Sequence, residues 1–199
     1  MGFEKEKKEF LEKRDKSKKG YLDIKIKKLT TKLNSLDDFF TTSSCAGRIL
    51  LFSLPSSNKK NEVQYLFNSH KKIQSNKIND TIKKILKIIK LKKIKNDVWF
   101  RVDGAILHVA SSNIDSARKL LNIARDIGFR RSGIISLGKN RVTMELISTE
   151  KIEAIVSRNG KLLIDGDYFK VLVKEGNNKL GKTWEKIEKL YIALANSFY

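Results

Sequence analysis

Between Asp97 and Ser111 the chain reads DVWFRVDGAILHVAS, two runs of strand type divided by Asp103-Gly104. An Asp-Gly pair between such runs is a strong short-range signal for a hairpin turn, because both residues tolerate the left-handed backbone that the turn requires. The expectation is an antiparallel pair at this point. RILLFSL and EVQYLFNS read as a second hairpin-like pair, joined by the polar stretch PSSNKKN, which holds the only proline, Pro55. SGIISL and RVTMELI turn at Gly138-Lys139-Asn140, and IEAIV and KLLI are further strand candidates.

Helical patterns lie between these runs. Phe3, Phe10, Leu11 and Arg14 share a face from Phe3 to Lys19, and KKGY then supplies a glycine stop. Asp23 is placed to cap a helix to Leu36 whose buried face is Ile26, Leu29 and Leu33. Asn113 caps a segment with Ala117, Leu120, Leu121 and Ala124 on one face, ending at Gly128. A last helix from about Asp167 to Asn196 is expected to break or bend near Gly176 and Gly181. Strands joined by hairpins and interspersed with helices define an α+β fold, with a mixed or largely antiparallel sheet flanked by helices rather than a doubly wound Rossmann sheet. A single domain over residues 1–199 is expected. Glycine-and-arginine turns in SSCAGRILLF and FRRSGIISL also admit an internal duplication, with halves of about 1–97 and 98–199.

Charge narrows the partners. Lys and Arg number 42 against 22 Asp and Glu, for a net charge of +20. High-temperature composition raises Lys and Glu together, and here the surplus is one-sided, which points to a polyanion. The stretch IKKILKIIKLKKIK (Ile82 to Lys95) sets Ile82, Ile85, Leu86 and Ile89 on one helical face and Lys83, Lys87 and Lys90 on another. That pattern suits a membrane surface or a partner, or an apolar face laid on the protein's own sheet. No apolar run approaches the roughly 20 residues of a spanning helix. MGFEKEKKEF lacks a secretion signal's apolar centre, and MGFEKE lacks the hydroxyl of a myristoylation signal. The reading is a cytoplasmic protein with no membrane partner. Cys45, His70 and His108 fall short of a structural zinc set, so no metal is expected.

Two stretches could carry chemistry. TTSSCAGR, Thr41 to Arg48, is either a strand leading into a tight turn at Ala46-Gly47 or a polar pocket. In the second reading clustered hydroxyls, freed backbone N–H groups and the Arg48 fork grip a carboxylate or phosphate. GFRRSG, Gly128 to Gly133, is a helix stop and strand start, or a source of the anion ligands Arg130, Arg131 and Ser132. His108 lies opposite in parity to Leu107 and Val109, as a satisfied rim histidine or a catalyst, and His70 ends a strand.

Taken together these stretches resemble the family of tRNA wybutosine-synthesizing proteins of the third step, the wyosine-derivative N-methyltransferases of archaea and eukaryotes. The resemblance spans nearly the whole chain: FLEKRDKSKKGYLD, FFTTSSCAGRILL, YLFNSH, ILHVASSNIDSARKLLNIARDIGFRRSG and GKLLIDGDYFKVLVKEGNNKL occur in one order. The family's S-x-S-S-C-x-G-R pattern falls on Thr41, Ser43, Ser44, Cys45, Gly47 and Arg48, with threonine in first place. Its W-L-F-x-S-H and L-H-V histidines fall on His70 and His108. Tyr65 stands where the family usually has tryptophan, and Ile147, in LIST, near where it usually has arginine.

The resemblance implies methyl transfer from S-adenosyl-methionine to a ring nitrogen of the tricyclic guanine derivative beside the anticodon of phenylalanine tRNA. Cofactor contacts are expected from Ser43, Ser44, Gly47, Arg48, Arg130, Ser132 and Gly133, and catalytic roles from His108 and His70. Phe39, Phe40 or Tyr65 would stack the base, with the anticodon stem-loop held by its phosphates. The alternative is an RNA-binding protein that grips a phosphate without catalysis.

Overall fold

The computed structural model describes residues 2–12, 23–55, 62–91 and 94–198. Its elements are α1 (Phe3–Glu12), α2 (Ile24–Ser35), β1 (Phe39–Cys45), β2 (Arg48–Leu54), β3 (Gln64–Ser69), α3 (Ile78–Leu91), β4 (Asp97–Asp103), β5 (Ile106–Ser111), α4 (Ile114–Ile127), β6 (Gly133–Leu137), β7 (Val142–Ile147), β8 (Ile152–Arg158), β9 (Lys161–Leu162) and α5 (Gly166–Ser197). The chain divides into two compact units built from separated stretches. The first takes Met1–Ala46, Gly104–Thr149 and Lys182–Tyr199; the second takes Gly47–Asp103 and Glu150–Gly181.

In the first unit the sheet order is β1-β5-β7-β6, every pair antiparallel. Alternation puts Phe39, Leu107, Val109, Met144 and Leu146 on one face, where they pack with Ile26, Leu29 and Leu33 of α2, Leu120 and Ala124 of α4, and Leu190 and Leu194 of α5. Local chemistry sets α4 at both ends. The Asn113 side chain accepts from the Ser116 N–H at 2.8 Å, and Gly128 turns left-handed at φ 114 to close the helix. Asp23 takes the extended N-cap conformation before α2, but its side chain makes no capping bond.

In the second unit the order is β3-β2-β4-β8-β9, again antiparallel. Ile49, Leu51, Phe100 and Val102 are all buried, and the start of α5 packs here: Phe169 meets Phe100 edge-on at 5.8 Å. Gly176 allows the close approach, because a Cβ there would stand 3.1 Å from Val102 Cγ2. The Asn177 amide pins the preceding loop, accepting from the Ile73 N–H and donating to the Ile73 carbonyl, both at 2.8 Å.

Two antiparallel sheets flanked by helices match the α+β expectation, but several details differ. Asp103-Gly104 does not turn a hairpin. β4 already pairs with β2 and β8, and β5 with β1 and β7, so neither strand has an edge left for the other. β1 and β2, on either side of the Ala46-Gly47 turn, belong to different sheets. Both turns are points where the chain passes from one unit to the other. The hairpins β2–β3 and β6–β7 do form, the latter closed by the Gly138 N–H donating to the Arg141 carbonyl at 2.9 Å. α5 runs unbroken through Gly176 and Gly181. The glycines serve close packing, not a break. The expected first helix is seen as far as Glu12, and KKGY lies outside the described residues.

Candidate active site

The face of the first sheet opposite the core carries a polar row. Ser43 on β1 stands across from His108 on β5, His108 across from Glu145 on β7, and Glu145 across from Gly133 on β6. A bulge creates this alignment. Thr41 pairs with Val109, Ser43 pairs with His108, and Thr42 is the extra residue between them. Thr41 is held by Asn34, whose Oδ1 accepts from its N–H at 2.7 Å and its hydroxyl at 3.1 Å. The run of four hydroxyl residues is therefore where the register slips, and the slip brings Ser43 to the histidine.

Ser43 Oγ lies 2.8 Å from His108 Nδ1, and His108 Nε2 lies 2.9 Å from Glu145 Oε1. A carboxylate can only accept, so Nε2 carries the hydrogen, and in the neutral ring Nδ1 is left to accept from the Ser43 hydroxyl. The His108 and Glu145 side chains are 35% and 29% exposed, so the row is reached from solvent without being fully hydrated. At its end a Cβ on Gly133 would meet nothing within 4 Å. The glycine leaves open space beside Glu145. Ile147 pairs with Ile106 and Ile106 with Cys45, forming the adjacent row of the same face. Chemically, hydroxyl, imidazole and carboxylate in hydrogen-bonded series form an activated acceptor for a proton.

The other expected site residues are not members of this row. Ser44 pairs with Leu107 and so faces away from Ser43, on the core side of the sheet. Ser132 is buried, and its hydroxyl accepts from the Ile147 N–H at 3.0 Å. Its carbonyl accepts from Arg125 Nε and Nη2 at 3.2 and 2.8 Å, so Arg125 grips this turn while Arg130 and Arg131 are exposed. Gly47 and Arg48 belong to the second unit. Gly47 is left-handed at φ 96, and Arg48 Nε donates to Asp103 Oδ2 at 3.1 Å across the β2–β4 pair. His70 follows β3 one residue beyond Ser69, which pairs with Ile49, so it stands at the Arg48 end of that sheet.

Among the stacking candidates, Phe39 and Phe40 are both 0% exposed and cannot receive a base, whereas Tyr65 is 56% exposed. Phe40 is covered by Phe3 and Phe10 of α1 at 5.4 Å each. In α3, Ile82 is buried while Lys83 and Lys87 face solvent. Glu145 was not foreseen. Its one signal is a charge in the alternating run VTMELI, on the side away from Met144 and Leu146. Among the described residues no group of His, Cys, Asp and Glu is arranged to hold a metal, and no helix is long and apolar enough to cross a membrane.

Fold and polar row define an α+β protein with a hydrogen-bonded hydroxyl, imidazole and carboxylate on an antiparallel sheet. The structure is similar to that of the PH1069 protein from Pyrococcus horikoshii, with a TM-score of 0.83, 30% identity, and coverage of 97% of this chain and 96% of the other. Residues 5–196 match the model of the family Methyltransferase TYW3, and the chain belongs to that family. It is a methyltransferase, which sets aside the alternative of RNA binding without catalysis. A relative from Thermococcus sibiricus, the tRNA(Phe) 7-((3-amino-3-carboxypropyl)-4-demethylwyosine(37)-N(4))-methyltransferase, is 34% identical over 94% of this chain and 92% of its own. The human tRNA wybutosine-synthesizing protein 3 homolog is 35% identical over 98% of this chain and 73% of its own.

Proposed function

We propose that the protein transfers a methyl group from S-adenosyl-methionine to N4 of a 4-demethylwyosine-type base at position 37 of phenylalanine tRNA, the reaction named for its Thermococcus relative. The observation that carries this reading is the Ser43–His108–Glu145 row on an open sheet face, in a chain of this methyltransferase family. S-adenosyl-methionine fits the residues in kind. Ser43 offers a hydroxyl to its polar groups, Glu145 a negative charge to its cationic centre, and the space at Gly133 room beside them. When bound, it supplies an electrophilic methyl group on a sulfonium.

The protein's own part is to orient the base and take up the proton that the methylated nitrogen gives up. Because Ser43 donates its hydrogen to His108 Nδ1, its oxygen lone pairs are left to accept from the substrate N–H. As Ser43 takes that proton it passes its own to Nδ1, and the imidazolium is stabilised by Glu145 at Nε2. The proton then leaves to water. No covalent enzyme intermediate is required, and fixed geometry supplies much of the remaining rate.

Outside this row, the net charge of +20 supplies attraction for tRNA phosphates, and the exposed ring of Tyr65 is suited to stack a base. The test is incubation with S-adenosyl-methionine and phenylalanine tRNA that carries the unmethylated tricyclic base, followed by mass analysis of the released nucleoside. Gain of one methyl group on that base is expected. An unchanged nucleoside in the presence of bound tRNA would refute the reading.

A further inference from the structure

The second unit holds a cleft of about 820 Å³ that the polar row does not use. Three lysines line it, Lys72, Lys170 and Lys174, together with the amides of Gln74, Asn79 and Asn178. Among the described residues that line it, none carries a carboxylate. Two acids bond to residues that line it: Asp167 accepts from Lys170 at 2.9 Å, and Glu175 accepts from Asn178 at 3.1 Å. The Lys170–Asp167 pair is exposed, of the kind that contributes little and yields readily to another anion.

We propose that this cleft binds the phosphodiester backbone of RNA. The assignment rests on the reading of tRNA as the substrate, and it adds a surface that the methyl-transfer chemistry itself does not require. Small organic ligands favour enclosed, mostly apolar cavities, and this one is wide and lined by charge and amide. Lysine suits a phosphate chain, since its ammonium is a point charge on a flexible stem and needs no fixed approach. Side-chain amides donate to phosphate oxygens and fix register without reading sequence.

The cleft is also built in advance of binding. Lys170 and Lys174 are four residues apart on α5 and share a face. Asn177, one turn on, holds Ile73 by both of its backbone groups, and so fixes the backbone that carries the flanking lining residues Lys72 and Gln74. Little ordering of the backbone is left to oppose binding.

The experiment measures binding of phenylalanine tRNA to the full chain across a salt series. For Lys170→Gln/Lys174→Gln, affinity at 0.15 M salt should fall about tenfold, and the slope of log K against log salt should become shallower by about 1.5. Lys170→Arg/Lys174→Arg should keep both. In the unsubstituted chain, bound tRNA should shield Lys170 and Lys174 from acetylation, while inorganic phosphate at the same phosphate concentration should not.

Unchanged affinity and slope without shielding would overturn the proposal. Equal shielding by inorganic phosphate would overturn it too, in favour of a small-anion site. Should the glutamine variant unfold, the arginine variant and the shielding still decide. Failure of the parent chain to bind tRNA at all would instead strike the substrate reading on which the proposal rests.

Discussion

Ser43, not Thr42, stands across from His108, with its Oγ 2.8 Å from Nδ1. The bulge at Thr42 selects it, and the Thr42 hydroxyl turns instead to the His108 carbonyl at 3.4 Å. Ser43→Ala should therefore lower the single-turnover rate of methyl transfer by roughly 10²-fold, the ordinary worth of a positioned proton acceptor. Thr42→Ala should change it by less than about threefold, since only a long bond to a backbone oxygen is lost. Equal losses from the two variants would mean that the row is not the proton path.

His108 and Glu145 should act as one device. His108→Ala should lower the single-turnover rate of methyl transfer by roughly 10²-fold, while S-adenosyl-methionine binding measured by calorimetry persists. Glu145→Gln removes the charge that stabilises the imidazolium and should lower the turnover rate by roughly 10²-fold with little change in the tRNA concentration needed. Once His108 is gone, Glu145→Gln should cost nothing further in the single-turnover rate at saturating S-adenosyl-methionine. Additive losses in the double variant would separate the two residues.

Asp38 links the strand β1 to the start of α4. Its carboxylate accepts from the Ser112 hydroxyl and, at 2.7 Å, from the Ser116 hydroxyl. These bonds, Ser112 first, hold its pKa below the ordinary value, with burial opposing and Lys7 adding a smaller attraction. The unfolded chain thus binds this proton more tightly than the folded one. The stabilisation is full above the unfolded value of about 3.9 and is lost as pH falls through the lower folded value. In urea unfolding, the stability gap between the parent and Asp38→Asn should shrink between pH 6 and pH 3. A constant gap would refute the linkage.

The two glycines inside α5 should respond in opposite ways to alanine. At Gly176 a Cβ would meet Val102 Cγ2 at 3.1 Å, and Ile49 Cδ1 and Phe100 Cζ at 3.4 Å, all from buried core residues. Overpacking there should outweigh the better helix propensity, for a net loss of about 1 kcal/mol. At Gly181 the obstacle is Lys72 Nζ at 2.7 Å, the far end of a flexible side chain. That end can swing aside, so Gly181→Ala should be neutral or gain about 0.5 kcal/mol. Thermal melts of the two variants decide it.

What the sequence determined by itself was local or periodic. Asn113 and Gly128 end α4 where capping chemistry within one turn requires, and Ile26, Leu29 and Leu33 bury one side of α2. The alternation of Leu107, His108 and Val109 put the histidine on the non-core face, as it stands. The spaced motifs from FFTTSSCAGRILL to GKLLIDGDYFKVLVKEGNNKL were enough to place the chain in its family.

Only the tertiary structure decided which strands are partners and in what register. Asp103-Gly104 has the composition of a hairpin turn, yet it connects two sheets, because long-range pairing on both edges of β4 and β5 outweighs a preference confined to a few residues. The same holds for the row. Ser43, His108 and Glu145 are distant in sequence, and a slip of one residue turns every side chain of a strand to the other face. The unpaired Thr42 sets that parity for β1, which makes Ser43 the partner of His108 and sends Ser44 to the core side.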